Sequence, residues 1–246
     1  MSGHNKWSTI KRKKGALDAK RSKIFSKIIK EMQIAIKEGG ADPDGNPRLR
    51  LAIANAKGAR MPKDNIDRAI NRGKEKDAGN FQEITYEGYL PNGVAVFIET
   101  MTDNPQRTVS NIRSIFNKYG GSLGTNGSLS FLFDRKGIIE IPKGTLNADD
   151  FELAMIDAGA EDIQLEEDYF TVTTPMEEFG RMNRALEEMG VEAENAQLER
   201  IARDTVKLDK ESAQKIMKVI EMFEEDDDVQ NVFHNLEITD EMMAEI

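Results

Sequence analysis

Apolar positions along the first third of the chain recur at helical spacing. Ile24, Phe25, Ile28, Ile29, Met32 and Ile36 predict a helix from about Lys20 to Glu38, stopped by Gly39-Gly40. Pro47 suits the first position of a second helix, whose face carries Leu49, Ala52, Ile53 and Ala56. A third follows Pro62, with Ile66, Ala69 and Ile70 as its buried side and Gly73 past its end. These three predict a small bundle. Residues 1–23 ahead of it have few apolar positions and no period, and read as a mobile basic arm.

Beyond Lys74–Gly79, which reads as a linker, the period changes. Ile84–Leu90 and Val94–Met101 are predicted strands around the turn Pro91-Asn92-Gly93. Pro105 opens a helix with Val109, Ile112, Phe116 and Tyr119 on one face, and Ser128–Phe133 reads as another strand. From Gly137 the order is strand 138–141, helix 148–158, strands 162–166 and 169–173, helix 176–189 and strand 193–200. That βαββαβ order is the ferredoxin-like split βαβ. A strand near 204–208, a helix 210–224 and a strand 229–233 follow, and with the elements at 94–133 they would complete a second such unit. The expected fold class is therefore α+β, with an N-terminal helical bundle and two ferredoxin-like α/β sandwiches, one inserted in the other. The expected domains are 1–79, then 80–135 with 204–246, and 136–203 as the insertion, with Asp134–Lys136 as a second linker.

Charge changes this picture. Residues 1–77 hold 20 Lys and Arg against 9 Asp and Glu, whereas residues 78–246 hold 14 against 35, so a net of +11 is followed by −21. Such asymmetry points to nucleic-acid contact at one end. The candidate contacts are Lys6, Lys11, Arg12, Lys13, Lys14, Lys20, Arg21, Lys23 and Lys27, with Trp7 among them. Cations neutralise phosphates and release counterions, and an indole stacks on an exposed base. The chain's one tryptophan lies where no core needs it. The plainer reading is a solubilising tail.

Other signals are weaker. The second and third helices could form a helix-turn-helix, but Asp64 and Asp67 would then meet phosphate; as acids in a first turn they simply suit the helix dipole. Arg107 and Thr108 stand in the first turn of the Pro105 helix, a natural anion position, and for Arg107 the nucleic-acid and structural readings are both open. Gly120–Ser128 matches no phosphate-binding pattern and reads as turns, Asp42–Gly45 as a plain turn, and Glu224–Asp228 as a solvated turn. With no cysteine and two distant histidines, His4 and His234, no catalytic constellation or metal site is expected, and no cofactor or small-molecule substrate. No apolar run approaches the roughly 20 residues of a membrane span, and a reducing cytoplasm suits the composition.

The residues themselves resemble those of a known family. Ser2–Lys11 and Ala16–Arg21, then Asn46-Pro47-Arg48-Leu49-Arg50, Met61–Ile66 and Arg68-Ala69-Ile70, are similar to blocks of the YebC family. So are Tyr86-Glu87-Gly88-Tyr89, Thr102-Asp103-Asn104 with Arg107-Thr108, Gly120-Gly121 through Phe131, and Glu161-Asp162; Asn5 departs from an expected Ser. The resemblance implies a cytoplasmic, non-enzymatic protein of three domains, the last two ferredoxin-like. It implies either a probable transcriptional regulator that binds DNA, or a translation factor. The latter would act with the ribosome on rRNA or tRNA, like the related mitochondrial activator of cytochrome oxidase translation, and assist elongation through proline runs, as bacterial relatives do. On physical grounds the second is favoured. A protein-interaction adaptor is the alternative of a different class.

Overall fold

The computed structural model describes residues 18–75, 80–166 and 168–239, with side chains from Arg21 onward. The described residues contain seven α-helices and two four-stranded sheets. They pack as two compact units. One takes in the described parts of Met1–Lys30, Gly79–Asp134 and Ile201–Ile246; the other takes in Glu31–Ala78 and Arg135–Arg200.

Helix α1 (Asp18–Gly39) begins earlier than its apolar period suggested, so Lys20, Arg21 and Lys23 stand on a helix and not in the basic arm. Ala19, Lys20 and Arg21 have good helix propensity, which carries the helix past the last buried turn. The division between the units falls within α1, after Lys30.

In the second unit, α2 (Pro47–Gly58) is capped by Asn46, whose side-chain oxygen accepts from the Leu49 N–H. The Asn46 amide also donates to the carbonyls of Ala35 and Gly40, at 2.7 and 2.8 Å, so one buried side chain ends α1 and starts α2. Helix α3 (Lys63–Gly73) approaches α1 so closely that a Cβ on Gly73 would stand 2.6 Å from Ile36. Asn55 of α2 donates to the carbonyl of Ala196 and accepts from its N–H, at 2.8 and 2.9 Å. The amide thereby satisfies both backbone groups of one residue on an edge strand, β7 (Asn195–Ala202). Gly58 makes the approach possible, because a Cβ there would stand 2.1 Å from the Glu194 carbonyl oxygen.

The unit's sheet is built from β4 (Phe133–Pro142), β5 (Asp162–Glu166), β6 (Tyr169–Pro175) and β7, ordered β5-β6-β4-β7. With α5 (Ala148–Asp157) and α6 (Phe179–Glu188) it gives the expected βαββαβ order. Ile139, Ile141, Phe170 and Val172 of the sheet pack on Phe151, Met155, Met182 and Leu186 of the helices. Asp134–Lys136, expected as a linker, lies inside β4, where Lys136 is paired with Pro175 in the ladder and bound by Glu161.

The first unit's sheet is ordered β3-β1-β2-β8, from β1 (Gln82–Leu90), β2 (Val94–Thr102), β3 (Ser122–Leu123) and β8 (Val229–His234). The β1–β2 turn places Asn92 and Gly93 at φ 63 and 76, which these two residue types tolerate. Helices α4 (Pro105–Lys118) and α7 (Lys210–Glu225) cover one face, with Val94, Val96 and Ile98 against Ile112, Phe116, Ile220 and Phe223. Two expected strands are absent from this sheet. Ser128–Leu132 is a turn and a 3-10 segment, with Phe133 opening β4 of the other sheet, and 204–208 offers only a single bridge from Val206 to Leu236. In both places alternating apolar residues read as strands, but Leu129, Val206 and Leu208 are anchors from irregular backbone into the cores. The sheet's centre is instead the β1–β2 hairpin.

The second sheet's strands lie in sequence between β3 and β8, so one sandwich interrupts the other. Where the chain returns, the Arg203 N–H donates to the Leu132 carbonyl at 2.9 Å and its guanidinium holds Asp134 at 2.7 Å.

Candidate nucleic-acid interface

Of the residues expected to meet nucleic acid, Lys6, Trp7, Lys11, Arg12, Lys13 and Lys14 lie outside the described residues. Lys20 is placed on α1 by its backbone, and Arg21 is exposed one residue later. Lys23, Lys27 and Lys30 are spaced along one helical face, and all three are engaged within the first unit. Lys23 donates to the Glu225 carbonyl at 2.8 Å and Lys27 to the Gln230 carbonyl at 3.0 Å. Lys30 donates to the carbonyls of Asp227 and Met101, and its ammonium lies 3.5 Å from the Asp228 carboxylate. The last turn of α7 carries no basic residue of its own, so lysines of α1 meet its negative dipole end.

Glu224–Asp228 is therefore only in part a solvated turn: Glu225 and Asp227 are exposed, but Asp228 is not. Asp228 is 3% exposed and accepts from the Arg107 guanidinium at 2.7 Å and the Thr108 hydroxyl at 2.8 Å. Asp226 accepts from the Asp228 N–H and from Asn111, so the run holds itself together. Burial pushes the Asp228 carboxyl up, but hydrogen bonds from Arg107 and Thr108 and the charges of Lys30 and Arg107 hold it below its ordinary value. Burial, and then the same carboxylate, push the Tyr86 phenol up. Asn104 caps α4 by accepting from the Arg107 N–H. The anion at this helix start is the chain's own: Arg107 reaches Asp228 and, at 2.9 Å, Asp103. Its guanidinium is held above its ordinary value, first by the hydrogen bond to Asp228.

In the second unit α2 ends in a turn where Met61 N–H bonds the Ala56 carbonyl and Arg60 N–H the Lys57 carbonyl. This is the Schellman closure, and Arg60 occupies its left-handed position at φ 57, where glycine is usual. Lys57, Arg60 and Lys63 are all exposed around this turn. Asp64 and Asp67 are exposed on α3, the helix that a helix-turn-helix would insert. Arg68 turns back on its own helix, donating to the Asp64 carbonyl and to the Asn65 side chain.

Sequence reasoning missed Lys30, Asp228 and the Lys57–Lys63 corner. Lys30 continues the spacing of Lys23 and Lys27, and five cations with no acid between Asp44 and Asp64 mark the corner. Nothing local distinguished Asp228 from its acidic neighbours. Among the described residues no group of three or more histidine or acidic side chains could hold a metal ion, and no helix is long and apolar enough to cross a membrane.

A helical N-terminal segment followed by two antiparallel α/β sandwiches, one interrupting the other, with cations gathered on the helices, defines the class of protein. The chain belongs to the TACO1/YebC family. Residues 5–76 match the TACO1/YebC protein N-terminal domain, and 81–236 match the TACO1/YebC second and third domain. It is similar to a protein of Rubrobacter xylanophilus named probable transcriptional regulatory protein, 50% identical over 100% of this chain and 99% of the relative. A relative from Geobacter sp. strain M21 with the same kind of name is 51% identical over 100% of both chains. The crystal structure of a conserved hypothetical protein from Aquifex aeolicus matches with a TM-score of 0.81 and 45% identity, covering 90% of this chain and 92% of that one.

Proposed function

We propose that the protein is a nucleic-acid-binding regulator of gene expression that acts without catalysis in the cytoplasm, engaging structured RNA or the ribosome through its basic end. The observation that carries this reading is the charge segregation of +11 over residues 1–77 and −21 over the rest. One basic end can dock on a folded RNA while acidic parts stay clear of it, whereas lying along a duplex brings them near phosphate. Exposed Asp64 and Asp67 on α3 count against insertion of that helix into a major groove. Basic segments that order on binding suit irregular RNA surfaces. In this reading Lys6, Trp7 and Lys11–Lys14 carry the contact with Lys20 and Arg21, and Arg107 is a positioning residue because its charge is met by Asp228.

The names of the relatives support a regulator role and favour a second reading, a transcriptional regulator that binds a DNA site. Competition at physiological salt separates the two. If ribosomes displace a labelled RNA from the protein while promoter sequence hardly matters, the RNA reading stands. If one promoter fragment outcompetes scrambled duplex by about a thousandfold while ribosomes compete poorly, the DNA reading replaces it.

A further inference from the structure

The connection from α4 to β4 contains the feature with the clearest unexplained design. Gly120–Phe133 is fourteen residues long and carries no charged side chain, in a chain that is 32% charged. It includes β3, a 3-10 turn at Ser130–Leu132 and the first residue of β4, and the irregular stretch between β3 and that turn is Gly124–Leu129. That stretch is built. Glu87 projects from β1 with its side chain 2% exposed as a residue, and its carboxylate accepts from the N–H groups of Gly127, at 2.7 Å, and Leu129. The Glu87 carbonyl accepts from the Gly124 N–H, also at 2.7 Å, and Thr85 bonds Asn126. Gly127 holds φ 86 with nothing within 4 Å of where a Cβ would stand. Ser130 closes back on the Gly127 carbonyl at 3.0 Å. Leu129 and Phe133 anchor the segment in a cluster with Ala95, Phe97 and Phe233 on the sheet face away from α4 and α7.

Burying a carboxylate is unfavourable unless its hydrogen bonds are made. Here they are made to the loop's own backbone, so the buried charge fixes the loop's shape. What it fixes is an exposed tip: Thr125, Asn126, Ser128 and Ser130 face solvent, Phe131 is 62% exposed, and Tyr89 beside Glu87 on the same strand is 40% exposed. The surrounding chemistry narrows the partner. Segments 79–134 and 201–246 of this unit hold 18 acidic and 8 basic residues, against 10 basic and 1 acidic in its Met1–Lys30, so outside Met1–Lys30 a polyanion meets the unit without repulsion only where carboxylates are kept away from the surface. Neutral hydroxyl and amide groups match base edges, and an exposed ring offers a stacking surface to any base.

Resting on the nucleic-acid reading above, we propose that residues 120–133 form a preformed contact site for unpaired RNA bases, with Phe131 as the stacking surface and Glu87 as the positioning residue. The test is fluorescence anisotropy with the full chain, a short mixed-sequence single-stranded RNA and its duplex form. Phe131→Ala weakens single-strand binding by roughly five- to 150-fold, the range for losing one stacked base, without changing the salt slope or the melting temperature. Phe131→Tyr restores the affinity. Thr125→Glu, on the exposed tip, weakens binding most at low salt by adding a carboxylate. Glu87→Gln, which sets an amide N–H against the loop's N–H groups, reproduces the loss; if it unfolds the protein, the Phe131 and Thr125 variants still decide. Wild-type affinity in Phe131→Ala overturns the proposal, whatever other macromolecule the loop then meets, and so does an equal loss on duplex. A variant with Lys11, Arg12, Lys13 and Lys14 changed to Ala runs alongside. If it alone loses affinity, the loop proposal falls and the nucleic-acid reading stands; if wild type itself does not bind RNA at physiological salt, that reading falls.

Discussion

Asp228 shows how much a single side chain organises. Its carboxylate gathers Arg107, Thr108 and Lys30, and so joins α4, β8 and α1 of the first unit. Its pKa is held below the ordinary value, so the network's stabilisation is present above about pH 4, the unperturbed carboxyl range, and is lost as pH falls through the lower folded value. Asp228→Asn keeps the shape but removes the charge. The expected result is a loss of about 1–3 kcal/mol near neutral pH and a shallower acid limb in urea unfolding measured between neutrality and acid. Unchanged curves would show that Arg107 and Lys30 are satisfied by Asp103 and the carbonyls alone. Arg60 presents a different case, a side-chain-bearing residue at φ 57 held there by the backbone hydrogen bonds of the Schellman turn. Arg60→Gly is expected to raise stability by about 1 kcal/mol, the ordinary cost of a left-handed side-chain-bearing residue. A lowered melting temperature would show that the arginine side chain stabilises the turn.

Elements were legible where their side chains repeat, and least so where backbone is held by something distant in sequence. The helices at Pro47, Pro62 and Pro105 follow from their prolines and apolar faces, and the inserted βαββαβ series follows from its periods. At 128–132 the alternation of Leu129, Phe131 and Phe133 predicts a strand, while the loop's shape comes from Glu87 some forty residues earlier. In composition the lysines of α1 form one population with those before them, since a count does not distinguish a lysine facing phosphate from one capping carbonyls. That distinction predicts separable effects. Changing Lys23 and Lys27 together to Ala is expected to lower the melting temperature and leave the salt slope of nucleic-acid binding almost intact, because both ammonium groups are already bound to backbone carbonyls. A flattened slope with unchanged melting would return these two residues to the nucleic-acid contact. Likewise Asn55→Ala removes two hydrogen bonds to Ala196 and is expected to cost about 1–3 kcal/mol, read as a shift in urea midpoint.

At the scale of the whole molecule, the charge asymmetry was visible in the sequence alone, and it sets the strongest expectation about binding. Contacts by about five cations of the basic end give a log–log salt slope near −3.5 on single strands and about −4.5 on duplex. Changing Lys11, Arg12, Lys13 and Lys14 to Ala is expected to weaken binding broadly and flatten that slope; unchanged affinity and slope would move the contact elsewhere. The insertion of one sandwich in the other was also legible, although the first unit's connectivity was not, because β1 at its centre replaces the strand expected near residue 204.

That insertion has a consequence for how the chain comes off the ribosome that makes it. Every strand and helix of the second unit has been made once the chain reaches Ala202, so that unit can close while the C-terminal elements are still unmade. The first unit cannot, because β2 pairs on its outer side with β8, the last strand described. Until β8 emerges, β2 presents an unpaired edge rich in valine, isoleucine and phenylalanine, the kind of edge that recruits strands from other chains. Vectorial synthesis thus leaves the outer unit waiting on its last strand while the inserted one is already folded, and nascent chains stalled between these points are the state most exposed to misassembly.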